Sequence, residues 1–283
     1  MNRKIILQRM KKSKFFVLGV FGVFIIILLA IVSPSIIVHD PYKTDIVSKF
    51  IAPQWFSKGW SGHVLGTDST GRDMLTRLLI GSRYSLSIAL ISAVISAFIG
   101  IVLGLLAGYY GGVVDMIIMR CCDIMNSFPM LLLAIVTVAM LGKSIPILII
   151  VMSLCSWVGY TRLTRNNVMV VRNMEFIQAA RALGAKGSLI MFREILSNVT
   201  TPLFIQFSQS VGALIKLEAS LSFLNMGIQP PLPSWGSMIS AGRSFIMVYP
   251  WVVLAPAACL AFTVLSFNFL GDGLRDVLDP KRF

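Results

Sequence analysis

The hydrophobic pattern of this chain consists of six long apolar runs, which are separated by shorter polar or basic segments. A helix that crosses a bilayer needs about 20 mostly apolar residues, and the runs are close to that length. The pattern predicts an all-α, polytopic membrane helix bundle with about six transmembrane helices. The predicted spans are residues 15–38, 86–108, 116–141, 145–160, 199–217 and 251–270.

The composition excludes the main soluble classes of protein. Hydrophobic residues make up 56% of the 283 positions and charged residues only 13%, whereas a soluble domain carries roughly a quarter of its residues as charged side chains. A disordered chain would need low hydrophobicity. The net charge of +13 is spread over short segments between apolar runs rather than gathered on one soluble face, so we expect no nucleic-acid partner.

The basic residues also predict the topology. They concentrate in a tail at residues 1–14, in a loop at about 161–198 and in a second tail at 272–283. The positive-inside rule places all three in the cytoplasm, with both termini inside. Residues 15–38 exceed the usual ~7–15 residues of a signal-peptide core and are expected to remain as an anchor. An extracytoplasmic loop, 39–83, and a core, 84–271, complete the division.

Small residues recur at every fourth position of the second run. They lie on one helix face, where they let another backbone approach closely. We therefore expect a tight helix contact, with an unnamed partner helix, along Ser92, Ser96, Gly100, Gly104 and Gly108.

Just before that run, residues 71–82 read as a short amphipathic helix on the outer membrane surface or against the bundle. Its apolar face contains Met74, Leu75, Leu78 and Leu79, and its polar face contains Arg72, Asp73, Thr76 and Arg77. Three charges begin the third run. They either extend towards the interface or include a pair between Arg120 and Asp123.

The sequence shows no constellation for catalysis or for a cofactor. His39 and His63 stand alone in the outer loop, and the four cysteines lack a metal-binding spacing. Gly142-Lys143-Ser144 looks like the end of a phosphate-binding loop, but the first glycine of that motif would fall at Thr137. We expect a transport subunit without a cofactor and without ATP binding of its own.

The loop at 161–198 is long and helical in composition. Residues 175–183 predict one helix that Gly184 ends, and Ser188 suits the N-cap of a second helix at 189–196. A helical hairpin on the cytoplasmic side would suit the docking of a partner.

The hairpin sequence resembles the EAA loop of ABC-importer permeases. Ala179, Ala180, Gly184 and Leu196 match that pattern in register, and Gln178 and Glu194 occupy two of its other positions. The chain departs from it at Gln178, where the family has Glu, at Glu194, where it has Ile, and at Ser197, where it has Pro. Residues 63–73, 221–236 and 268–280 resemble further signatures of the oligopeptide/dipeptide/nickel permeases, in particular the "C" subunit.

This resemblance implies a type I ABC-importer permease fold. It implies a chain that pairs with a homologous permease to form half of a translocation path. Two ATPase subunits would dock on the hairpin, and an extracytoplasmic binding protein would deliver di- or oligopeptides. Alternative cargoes within the family are glutathione and nickel chelates. A secondary transporter or a membrane enzyme, the rival classes, would lack an ATPase partner.

Overall fold

The computed structural model describes residues 9–54 and 62–278, and these residues form no β-strand. The ends of the two predicted tails, 1–8 and 279–283, lie outside the described residues. In chain order the helices are α1 Lys14–Ile36, α2 Met74–Tyr110, α3 Gly112–Asn126, α4 Met130–Leu141, α5 Ile145–Val171, α6 Glu175–Ala182, α7 Gly187–Leu189, α8 Leu196–Phe223, α9 Trp235–Gly242 and α10 Trp251–Leu278. Single 3₁₀ turns lie at Ile46–Ser48 and Arg243–Phe245, and a π-helical segment at Ile190–Ile195 joins α7 to α8.

Four helices of the described chain, α1, α2, α5 and α10, are long and apolar enough to cross a membrane. The third predicted span is not one continuous helix. It divides into α3 and α4, which are bent by 85° relative to each other. Pro129 stands at the N-cap of α4 and cannot donate the backbone hydrogen bond that would continue α3, so the chain turns there.

Helix α2 packs along α5 through the stripe of small residues. A Cβ added to Gly100 would lie 2.5 Å from the Tyr160 Cβ, and one added to Gly104 would lie 2.5 Å from the Thr164 Cβ. Ser96 donates to the Ser153 carbonyl at 3.0 Å. Because both partners advance in number along the contact, α2 and α5 run parallel. The chain between them must therefore recross the membrane.

The bent pair α3–α4 makes that crossing, and it runs antiparallel to α5. Asp115 pairs with Arg165, Asp123 pairs with Arg162 at 2.7 Å, and Met130 lies beside Cys155. These contacts begin at Arg165 and pass Cys155, and α4 ends just before α5 begins. The bent pair therefore runs beside about 20 residues of α5, or about 30 Å, which matches the thickness of the hydrocarbon core of a bilayer. The predicted pair between Arg120 and Asp123 is wrong, because Asp123 binds Arg162 of another helix.

Helix α8 is the sixth helix that crosses the membrane. Its position in the bundle shows this, rather than its hydropathy. Ser210 lies 2.5 Å from Tyr160 of α5, and Glu218 accepts from Ser85 of α2. It thus runs antiparallel to α2 across the same depth, with polar side chains such as Glu218 and Ser222 buried inside the bundle. The outermost pair is α1 and α10, where Gly22 lies against Ser266.

The predicted amphipathic helix is not separate from the second span. Residues 74–82 form the first turns of α2, which continues for 37 residues. The expected polar face is also buried, because Thr76 and Arg77 are 3% and 5% exposed. Arg77 Nη1 donates to the Pro41 carbonyl at 3.0 Å, and its Nε lies 3.6 Å from Asp68 without a hydrogen bond. Apolar periodicity located the helix, and the loop packed over it determines which faces are buried.

Candidate coupling surface

The hairpin begins with α6, which ends in a Schellman motif. The Ala185 N–H donates to the Ala180 carbonyl at 3.1 Å, and the Gly184 N–H donates to the Arg181 carbonyl at 3.0 Å. Gly184 adopts φ +78°, a conformation that costs residues with a Cβ about 1–2 kcal/mol. The sequence predicted this stop at the correct residue.

The second half of the hairpin differs from the prediction. The N-cap is Lys186 rather than Ser188, and no side chain caps that helix. The helix also does not stop at residue 196. It continues through the π-helical segment directly into α8, so the hairpin is an extension of a membrane helix. A push on the hairpin is therefore transmitted to α8 without an intervening loop.

A buried apolar cluster beneath the hairpin joins it to three membrane helices. Ile177 of α6 and Ile190 and Ile195 of the π-helical segment are at most 1% exposed. They pack in one cluster with Leu105 of α2 and Tyr160 of α5. Close-packed interiors transmit displacements rather than absorb them. This cluster is the physical connection between the hairpin and the spans.

The six residues that occupy positions of the EAA pattern are not equivalent in the structure. Gln178 and Ala179 are exposed, and the Gln178 side chain donates to the Asn173 carbonyl at 3.2 Å. Gly184 lies exposed at the turn. Ala180 and Leu196 are half-buried against the cluster beneath the hairpin, and Glu194 is half-buried beside Arg193. Three of the six therefore face outward and three support the hairpin.

Sequence reasoning missed the apolar character of the outward face. Leu183, at the tip of the hairpin, exposes 88% of its surface, and Phe192 exposes 50%. Phe176 and Leu189 are also exposed. These four residues, with Ala179, are here called the tip surface. Large apolar side chains exposed on a folded hairpin are candidates for contact with a partner. The signal in the sequence was the apolar residue placed directly before the Gly184 stop.

On the opposite side of the bundle, a polar knot fixes the segment between α8 and α9. Glu218 is fully buried and accepts from Ser222 at 2.7 Å and from Ser85 at 3.1 Å. Ser234, the N-cap of α9, lies 3.3 Å from Ser222, and Trp235 donates to the Leu78 carbonyl. One carboxylate thus organises α2, α8 and the start of α9.

Replacing Glu218 with Leu should destabilise the chain, because the buried hydroxyls of Ser85 and Ser222 would lose their acceptor at about 1–3 kcal/mol for each unsatisfied group. Glu218→Gln keeps one acceptor oxygen and should cost less. Thermal unfolding of the purified chain in detergent measures both. Equal midpoints for Glu218→Leu and the wild-type chain would show that the knot does not stabilise the fold.

The outer loop over this knot is held by charged groups. Asp68 accepts from Thr70 and pairs with Arg72 at 2.8 Å. Burial raises the pKa of Asp68, but the Arg72 guanidinium and the Thr70 hydrogen bonds outweigh it and hold that pKa below its usual range. Asp73 caps α2 through the Thr76 N–H at 2.8 Å. The prediction that the two histidines stand alone was wrong, since their rings lie 4.7 Å apart.

Two family models match the chain. Residues 100–283 match the binding-protein-dependent transport system inner membrane component, and residues 3–53 match the N-terminal transmembrane domain of oligopeptide transport permease C. The chain belongs to this family of importer permeases. It is a membrane-embedded transport permease subunit.

Curated relatives agree with this assignment. A dipeptide transport system permease protein of Alkalihalophilus pseudofirmus is 39% identical over 97% of this chain and 88% of its own length. A dipeptide permease of Haemophilus influenzae is 37% identical over 96% and 92% of the two chains. A glutathione transport system permease protein of Pectobacterium atrosepticum is 41% identical, over 78% and 73%.

Solved structures support the fold. A chain of the inward-facing MetNI methionine ABC transporter aligns with a TM-score of 0.59 and 18% identity. The alignment covers 73% of this permease and 98% of that chain. The expected all-α importer-permease fold is confirmed.

Proposed function

We propose that this permease carries di- or oligopeptides inward as one of two homologous permease subunits, with two ATPase subunits docked on the tip surface. An extracytoplasmic binding protein would deliver the peptide from outside, and both termini would lie in the cytoplasm. The observation that carries the proposal is the exposed apolar tip surface, mounted on a buried cluster that reaches α2, α5 and α8.

The substrate class follows from the relatives. Those cited above are named for dipeptide or glutathione, which are both short peptides. Peptide is therefore the cargo best supported for this chain. A nickel chelate, the alternative from the sequence, has no support from these names.

The outer half of α2 offers a surface suited to peptides. Arg83 and Ser87 are exposed one helical turn apart, and both line a cavity of about 350 Å³ together with Tyr84 and Ile91. Further along the same helix, Phe98 is 70% exposed. A guanidinium above an apolar helix face can bind the carboxylate that ends every peptide. This face of α2 would line the path at the junction with the second permease.

Uptake by a deletion strain tests the substrate. Loss of this permease should abolish the uptake of labelled dipeptide, and a plasmid copy should restore it, while nickel uptake stays unchanged. Glutathione uptake, measured in parallel, distinguishes the two peptide cargoes. Normal peptide uptake together with lost nickel uptake would refute the peptide assignment and leave the importer family intact.

A further inference from the structure

The outer loop brings together three side chains that can bind a metal and that lie apart in the sequence. His39 follows α1, and His63 and Asp73 precede and cap α2. One ligand atom from each of the three residues lies within 4.8 Å of the other two. Their arrangement is independent of the cytoplasmic hairpin and of the proposed peptide path.

The spacing within this cluster is already close to that of a coordination sphere. His63 Nδ1 lies 2.9 Å from Asp73 Oδ1. Ligands bound to zinc at about 2.0–2.1 Å in a tetrahedron lie roughly 3.3 Å apart. A cation that displaces the proton between these two atoms, releasing it to solvent, would bind both with little movement. The His39 ring lies 4.7 Å from the His63 ring, and its Nε2 lies 3.0 Å from the Gly62 carbonyl oxygen, so a cation would either replace that contact or bind the other ring nitrogen.

The surroundings favour a cation. The cluster lines a cavity of about 180 Å³ that also holds Asp40, Lys43 and Asp45. Three carboxylates, of Asp40, Asp45 and Asp73, and one ammonium group, of Lys43, therefore line this cavity. The Ser48 hydroxyl donates a hydrogen bond to the Asp45 carboxylate. This bond keeps the pKa of Asp45 below its usual range.

The backbone around the cluster is fixed by contacts that do not use the ligands. The Thr67 hydroxyl accepts from the Ile51 N–H at 2.8 Å, and the Asp45 N–H donates to the Thr70 carbonyl at 3.1 Å. Asp73 Oδ2 is held by the Thr76 N–H, which leaves Oδ1 directed at His63. Ligands held in this way are preorganised for a metal.

We propose that His39, His63 and Asp73 form a binding site for a divalent transition-metal ion on the outer side of this permease. Two imidazoles and one carboxylate suit Zn²⁺, with Ni²⁺ and Cu²⁺ as chemically similar alternatives, and water completes the coordination. The bound ion would fasten the end of α1 to the start of α2. This site departs from the expectation of a chain without a cofactor.

Zinc titration of the full chain in detergent, with any affinity tag removed, tests the site. Competition with a chromophoric chelator gives affinity and stoichiometry, and a Cys121→Ser background removes the exposed thiol. We expect one Zn²⁺ per chain. His39→Gln should weaken binding at least about tenfold, since even outer-shell partners of a metal contribute that much.

Lys43→Gln is the matched control, because it lines the same cavity without being a ligand. It should bind zinc as tightly as the wild-type chain or more tightly. X-ray absorption of the bound zinc should show two imidazole ligands, and thermal unfolding should show that His39→Gln is folded. No stoichiometric binding, a sulfur-dominated zinc environment or equal affinity in His39→Gln would overturn the site. None of these results depends on transport.

Discussion

Replacing Leu183 with Ser should abolish most of the binding-protein-stimulated ATP hydrolysis of the assembled importer. Leu183 is 88% exposed at the tip of the hairpin and contributes little to the fold. If it is buried in a groove of the ATPase, its removal costs about 1.5–3 kcal/mol of contact energy. That loss weakens docking by roughly 10- to 100-fold. Stimulated hydrolysis and dipeptide uptake should fall together, while the chain remains inserted and bound to its partner permease.

Val113→Ser is the matched control for this variant. Val113 is 65% exposed on α3, outside the hairpin, and the change removes a similar apolar surface. Its stimulated hydrolysis should stay within about twofold of the wild-type value, as expected for a surface substitution away from an interface. Wild-type stimulation in Leu183→Ser, or an equal loss in both variants, would show that the tip surface is not where the ATPase docks.

The structure also identifies which alanine of the hairpin gives a clean test. Ala180 is half-buried against the cluster beneath the hairpin, so a Trp there would disturb the hairpin itself. Ala179 is exposed, and Ala179→Trp would add bulk only at the contact with a partner. Overpacking an interface is destabilising. Ala179→Trp should therefore reduce stimulated hydrolysis without lowering the thermal stability of the purified chain.

Replacing Gly104 with Ala should destabilise the chain, and Gly104→Leu should prevent it from folding stably. The new Cβ would lie 2.5 Å from the Thr164 Cβ and 2.6 Å from the Thr161 carbonyl oxygen. Since backbone cannot yield as a flexible side chain does, α2 and α5 must separate. Overpacking costs about 1–3 kcal/mol, and more for the larger side chain.

Gly81→Ala is the control within the same helix. An added Cβ there meets its nearest neighbours at 3.6 Å, an ordinary van der Waals contact. It should stabilise α2 by up to about 1 kcal/mol through helix propensity. Unfolding midpoints of the purified chains in detergent give the comparison. If Gly104→Ala is as stable as Gly81→Ala, the stripe is not a close contact in the folded chain.

The sequence predicted features that depend on local pattern. Apolar length located the membrane helices, the four-residue period marked the face of α2 that packs on α5, and Gly184 marked the end of α6. Each of these signals lies within one helix or one turn. The sequence left the partner helix of the stripe unnamed, and the structure identifies it as the chain's own α5.

Features that depend on distant contacts could not be predicted. The pairs between Asp115 and Arg165 and between Asp123 and Arg162 join residues about 40 to 50 positions apart. The proximity of His39 to His63 depends on how the outer loop folds over α2. The continuity of the hairpin with α8 was missed because the second hairpin helix was predicted to end at residue 196 and the membrane span to begin at residue 199, whereas the helix continues through this junction.

The central claim is that this permease moves peptide only when an ATPase pushes on its hairpin. Proteoliposomes containing the permease pair, the ATPase pair and the binding protein test it most directly. We predict that labelled dipeptide enters in an ATP-dependent manner, that omission of the binding protein abolishes entry, and that Leu183→Ser reduces both entry and stimulated hydrolysis. Dipeptide entry through this chain without ATP or ATPase subunits would contradict the account.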